Sequence, residues 1–149
     1  MALSPNGVML SDGPGDPKEN SSIVKEIEKL VGKVPMFGVG LGHQLLALAF
    51  GAETTKMKYG HRGGQPVKYL ESGRVYISTQ NHGYEVAIPS VKVGNVNFVN
   101  ANDGSCEGID YPDYKAFSVQ FNPESCSAAL EANILYEKFL KNMEEKRNA

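Results

Sequence analysis

The chain predicts an α/β domain: a mainly parallel sheet flanked by helices, with a β-rich insertion. Three observations carry this reading. Short apolar runs alternate with helical periodicity over the first third, β-formers crowd between turns in the middle, and a strand followed by a helix closes the chain. Its 149 residues suffice for one domain, taken as 1–149, with a substantial core.

Residues 7–10 read as a buried strand, and Ser11-Asp12-Gly13-Pro14-Gly15-Asp16-Pro17 demands a turn-rich loop. A helix follows over 21–31. Asn20 or Ser21 caps it, Ile23, Val24, Ile27, Leu30 and Val31 share one face, and Gly32 ends it. Residues 35–39 form a buried strand, and a second helix runs from about 42 through Leu45, Leu46, Leu48 and Ala49 to Gly51. Strands at 65–69, 74–79, 83–87 and 95–100 fill the middle, built on Val75-Tyr76-Ile77 and Val96-Asn97-Phe98-Val99. Asn102-Asp103-Gly104-Ser105 is a turn and leaves Cys106 exposed. Residues 116–121 are the last buried strand. A helix from about 127 turns Leu130, Ile134, Leu135 and Phe139 inward and frays over 144–147.

Composition removes several function classes. A hydrophobic share of 41% and a charged share of 21% are ordinary for a soluble domain. A net charge of -2 argues against nucleic-acid partners, which need a strongly basic face. No apolar run approaches a membrane span and no secretory pattern opens the chain, so the expectation is no membrane partner and a cytoplasmic or organellar-matrix location. Cys106 and Cys126 are read as free thiols in a reducing compartment. His43, His61 and His82 show no metal-ligand spacing, so no metal is expected, and His82 is read as a structural hydrogen-bonder. Lys56, Lys58, His61 and Arg62 are read as a solvated loop face suited to docking a partner subunit.

The chemistry-bearing stretch is Phe37-Gly38-Val39-Gly40-Leu41-Gly42-His43-Gln44. A buried strand meets a helix through a glycine-crowded turn, which is the frame of a nucleophile elbow. Its central position, Gly40, has no side chain to react. Glycine adopts positive φ without a Cβ clash, so this elbow should relax the strain that a nucleophile stores there. Cys126 lies beyond the last loop and is a small residue at a helix start, not a substitute nucleophile.

Three motifs in order, Leu10-Ser11-Asp12-Gly13-Pro14-Gly15-Asp16-Pro17, the elbow, and Phe117-Ser118-Val119-Gln120-Phe121-Asn122-Pro123-Glu124, together resemble class I (triad-type) glutamine amidotransferase domains. The segments from Lys56 to Val67 and from Gln80 to Tyr84 are similar to the glutaminase domain of carbamoyl-phosphate synthetase small subunits. The resemblance implies a cysteine that attacks the glutamine side-chain amide, a histidine base and an orienting glutamate. Backbone N–H groups stabilise the oxyanion, and the ammonia released passes to a large synthetase subunit. No cofactor is implied.

Carried over residue by residue, the resemblance places Gly13, Gly15 and Leu41 at oxyanion and substrate backbone positions. It places Gln44, Asn81, Gly83 and Tyr84 around the amino-acid end of L-glutamine, and Glu124 at the orienting carboxylate. The nucleophile position is Gly40 and the base position is Asn122, which accepts no proton near neutral pH. Asn122 is expected to hydrogen-bond Glu124. The reading that follows is a domain that has lost glutaminase chemistry and serves a synthetase partner as a structural or regulatory module. The alternatives are glutamine hydrolysis through a substituted nucleophile or a water assisted by Glu124, and a non-catalytic glutamine-binding module. Such domains begin with a strand–helix–strand unit, whereas only residues 1–6 precede the first motif strand here. A sheet edge left uncovered is expected.

Overall fold

The computed structural model describes residues 2–127 and 129–148. The elements run β1 (Val8–Leu10), α1 (Ser21–Leu30), β2 (Met36–Val39), α2 (Leu41–Ala49), β3 (Thr54–Tyr69), β4 (Val75–Val86), β5 (Asn95–Asn100), β6 (Cys106–Tyr111), β7 (Ala116–Val119) and α3 (Ala129–Arg147). They build one sheet in the order β1-β2-β7-β6-β5-β3-β4. β1, β2 and β7 are parallel, with Val8 opposite Met36 and Met36 opposite Ala116. The remaining pairings are antiparallel, so the β-rich insertion continues the same sheet and does not stand apart from it.

Alternation along β2 and β7 divides the core into two layers. Met36 and Ala116 face α1 and α2, packing with Ile27, Leu45 and Leu46. Phe37 and Phe117 face α3, where their rings stack at 4.5 Å and meet Tyr136 and Phe139. Helix α2 is apolar on most sides and buried from Gly42 to Ala47, as a helix enclosed between a sheet and a second helix must be. Gly42 permits this approach: a Cβ there would lie 2.2 Å from the Leu10 carbonyl oxygen.

Several expectations need correction. The strands expected at 74–79 and 83–87 are one strand, β4, and the one at 65–69 is the end of the long β3, which begins at Thr54. The basic cluster of Lys56, Lys58, His61 and Arg62 therefore lies on a strand, not a loop. β6 was not anticipated: Cys106-Glu107-Gly108-Ile109-Asp110-Tyr111 mixes charge and glycine, yet it is buried between β5 and β7. Cys106 is accordingly buried, and burial pushes its thiol up to about 12. Ile23 and Ile134, expected to face inward, are exposed, whereas Leu135 and Phe139 do pack inward. The Leu130 side chain lies outside the described residues. Helix α3 continues through Arg147 where fraying was expected. Among the described residues β1 ends the strand order, and its Met9 is half-exposed. No helix among the described residues is long and apolar enough to cross a membrane.

Candidate active-site cleft

Parallel strands place ligands beyond their carboxyl ends, where the connecting loops diverge. The loop after β1, the turn between β2 and α2, and residues 81–84 of β4 enclose a cleft there of about 510 Å³. Gly13, Gly15, Leu41, Gln44, Asn81, Gly83 and Tyr84 all line it, so the seven binding positions carried over from the motifs come together. Asp12, Pro14, Lys56, Arg62 and His82 complete the wall. Pro17 opens a short 3-10 turn that Asp16 caps by accepting from the Lys18 N–H at 2.9 Å, which ends the glycine-rich loop firmly.

At the elbow, Gly40 has φ +58° and ψ −115°, a region open to glycine and strained for side-chain-bearing residues. Its N–H donates to the Val119 carbonyl at 2.9 Å, which ties the turn to the end of β7. Asp12 occupies the space a nucleophile would use. Its Oδ1 accepts from the Gly13 N–H at 2.8 Å and from the Leu41 N–H at 2.9 Å. A Cβ on Gly40 would lie 2.1 Å from that same oxygen. The two backbone donors that match an oxyanion hole thus both point at a carboxylate. Sequence reasoning passed over Asp12 because Asp before Gly-Pro-Gly reads as a turn former. Its position ahead of an elbow without a side chain was the available signal.

The base side has also changed. The Asn122 N–H donates to the Thr79 carbonyl at 3.1 Å, and its own carbonyl accepts from Ser78 Oγ at 2.8 Å. The expected bond between Asn122 and Glu124 is not formed. A 3-10 turn over Pro123–Ser125 carries Glu124 outward, where it accepts from the Tyr136 hydroxyl at 3.4 Å. Neither Asn122 nor Glu124 lines the cleft.

The surrounding side chains are mostly committed to holding the walls. Gln44 Nε2 donates to the Tyr84 carbonyl and to Gln120 Oε1, both at 2.8 Å, so its amide fastens α2 to β4 and to the residue that follows β7. Arg62 Nη1 donates to the carbonyls of His61 and His82, which clamps β3 to β4 beside the cleft. His43 is fully buried against Ser118 Oγ at 2.8 Å, and burial, helped by the nearby His82 imidazole, lowers it to about 3. Burial is also the main reason His82 is lowered to about 4, so both rings are neutral at physiological pH. The reading of His82 as a hydrogen-bonder fits its bond to the Tyr84 carbonyl at 2.8 Å. His61 moves the other way, up to about 9, chiefly because of the Glu107 carboxylate beside it.

The comparisons agree with this architecture. The family model for class-I glutamine amidotransferases matches residues 1–142. The carbamoyl phosphate synthase small chain of Bacillus cereus is 48% identical over 147 residues, covering 97% of this chain and 40% of the relative. The chain therefore spans about two-fifths of the length of such relatives. Among solved structures, a Thermoplasma acidophilum protein named for the A subunit of a GMP synthase is 20% identical with a TM-score of 0.82, covering 97% of this chain and 76% of that one. A glutamine amidotransferase of Thermotoga maritima is 22% identical with a TM-score of 0.66, covering 93% and 65%. With the family model matching residues 1–142, the chain belongs to the class-I glutamine amidotransferase family.

Proposed function

We propose that this chain is a carbamoyl-phosphate-synthetase small-chain type of amidotransferase domain that no longer hydrolyses glutamine and acts as a structural or regulatory module on a large synthetase subunit. The observation that carries the reading is Asp12. Its Oδ1 takes both N–H donors, Gly13 and Leu41, at the point where Gly40 offers no nucleophile. A carboxylate in that position repels the developing oxyanion that those donors would otherwise stabilise. Partner choice rests on similarity to carbamoyl phosphate synthase small chains and is tested by co-elution with a large synthetase subunit.

The chemical half of the proposal is tested by incubating the chain with L-glutamine and measuring glutamate and ammonia. No release above buffer is expected, and clear release would overturn it. A restoration series locates the defect. Gly40→Cys with Asn122→His is expected to stay inert, because Asp12 holds both N–H donors and position 122 lies outside the cleft. Adding Asp12→Ala is expected to allow a thioester with glutamine to form, seen by mass spectrometry, and thioester formation with Asp12 still present would show that the carboxylate is no obstacle.

A second reading, retained glutamine binding without turnover, is favoured by one observation. All seven carried-over binding positions still line a single cleft. Calorimetry with L-glutamine tests it, and absence of heat at millimolar ligand removes it.

A further inference from the structure

Beneath the cleft wall, four side chains far apart in sequence converge on one point. His61 Nδ1 lies 3.0 Å from Gln80 Oε1, 3.2 Å from His82 Nε2 and 3.3 Å from Glu107 Oε1. His82 Nε2 is 2.7 Å from the same Gln80 oxygen. His61, Gln80 and Glu107 are buried, while His82 is half-buried and reaches the cleft.

Contacts on the far side of each group assign the hydrogens. Asp103 Oδ2 is 2.8 Å from His61 Nε2 and can only accept when ionised, so the proton sits on Nε2. The Tyr84 carbonyl accepts from His82 Nδ1. Gln80 Nε2 donates to Glu107 Oε2 at 2.8 Å, which turns the Gln80 oxygen inward. The inner nitrogen of His82 is thus bare, and that of His61 becomes so once its Nδ1 proton is displaced, both facing two oxygens. One of these, Glu107 Oε1, is fully buried and has no hydrogen-bond partner among the described residues.

Four acceptors facing one another call for positive charge between them. A proton on His61 Nδ1, bonded to the Glu107 carboxylate, supplies it in the metal-free chain, but a single N–H cannot align with three acceptors at once. A metal ion that displaces this proton would draw on all four.

We propose that His61, His82, Glu107 and Gln80 form a binding site for a divalent transition-metal ion, with zinc the best match. Two imidazoles and a carboxylate are a common zinc donor set, and tetrahedral bonds of about 2.0–2.2 Å separate ligand atoms by about 3.3–3.5 Å. Four of the separations, 2.7 to 3.3 Å, need to open by up to about 0.8 Å, and the donor atoms of His61, His82 and Glu107 all lie within 4.8 Å of one another. The outer contacts fit as well: Asp103 behind His61 and a backbone carbonyl behind His82 are the partners that orient metal-bound histidines. Magnesium and calcium fit poorly, because they favour six or more oxygen ligands. Since His82 lies between Asn81 and Gly83, a bound ion would fix the part of β4 that lines the cleft.

The test uses the purified chain, freed of metal with a chelator and checked for fold by circular dichroism. Titration with Zn²⁺ is expected to show one ion per chain, and Co²⁺ to give the intense visible bands of a tetrahedral site. His82→Gln, at a half-buried position, is expected to abolish the Co²⁺ bands. Asp103→Asn, on the exposed turn, is expected to weaken Zn²⁺ binding about 10–100-fold. No Zn²⁺ uptake by the folded chain would overturn the proposal, leaving a proton at the centre. Uptake unchanged in both variants would also overturn it, by placing the metal elsewhere.

Discussion

A side chain at position 40 costs energy twice, through a φ of +58° and through collision with Asp12. Gly40→Ala is therefore expected to destabilise the fold by about 1–3 kcal/mol. Urea denaturation of Gly40→Ala, with and without Asp12→Gly, separates the two terms, because only the collision is relieved by the second change. His43 makes a different prediction. Unfolded, it binds a proton near the ordinary imidazole value of 6.5, whereas burial holds the folded residue to about 3. Between those values the unfolded chain carries the extra proton, so stability falls as pH drops from about 6.5 towards 3. The slope due to this residue is about 1.4 kcal/mol per pH unit. Above pH 6.5 the contribution is constant. Stability measured from pH 4 to 6 is expected to fall less steeply in His43→Gln than in the unaltered chain, and equal slopes would refute the assignment.

At the scale of the element, α2 must begin close to β1 for the Leu41 N–H to reach Asp12. A Cβ at Gly42 would meet the Leu10 carbonyl oxygen at 2.2 Å, and that oxygen belongs to backbone that cannot rotate away. Gly42→Ala is expected to cost about 1–3 kcal/mol through overpacking. It should also push the helix start outward, which a changed amide shift for Leu41 would report. The same scale explains what pattern reading missed. β6 carries Glu107, Gly108 and Asp110, so it lacks the apolar alternation that marks a strand. It is stabilised instead by pairing on both sides and by placing Glu107 in a buried polar network. The joined β4 was hidden by Asn81, His82 and Gly83, residues typical of turns; here Asn81 and His82 pair with Arg62 and His61 of β3, and Gly83 falls at a register shift within the same strand pair.

Across the whole molecule, the sheet is sandwiched between α1 and α2 on one face and α3 on the other. Phe37 is central to the second face, fully buried and in ring contact with Phe117, Tyr136 and Phe139. Phe37→Ala is expected to lose about 3–5 kcal/mol of stability, read by thermal or urea denaturation. The loss should loosen α3 first, which amide hydrogen exchange would detect as faster exchange in that helix.

The sequence by itself determined the layered α/β class and the order of the early strands and helices, which rest on local signals: apolar periodicity and glycine-dense turns. Seven positions that line the cleft came from the resemblance of its separated motifs to a known family. Only the tertiary structure decided that Asp12 fills the empty elbow, that Glu124 turns away from Asn122, and that His61, His82, Gln80 and Glu107 meet at one point. Each of these depends on residues from different strands or loops being brought within about 3 Å, a hydrogen-bond distance set by strand pairing and packing and not by spacing along the chain.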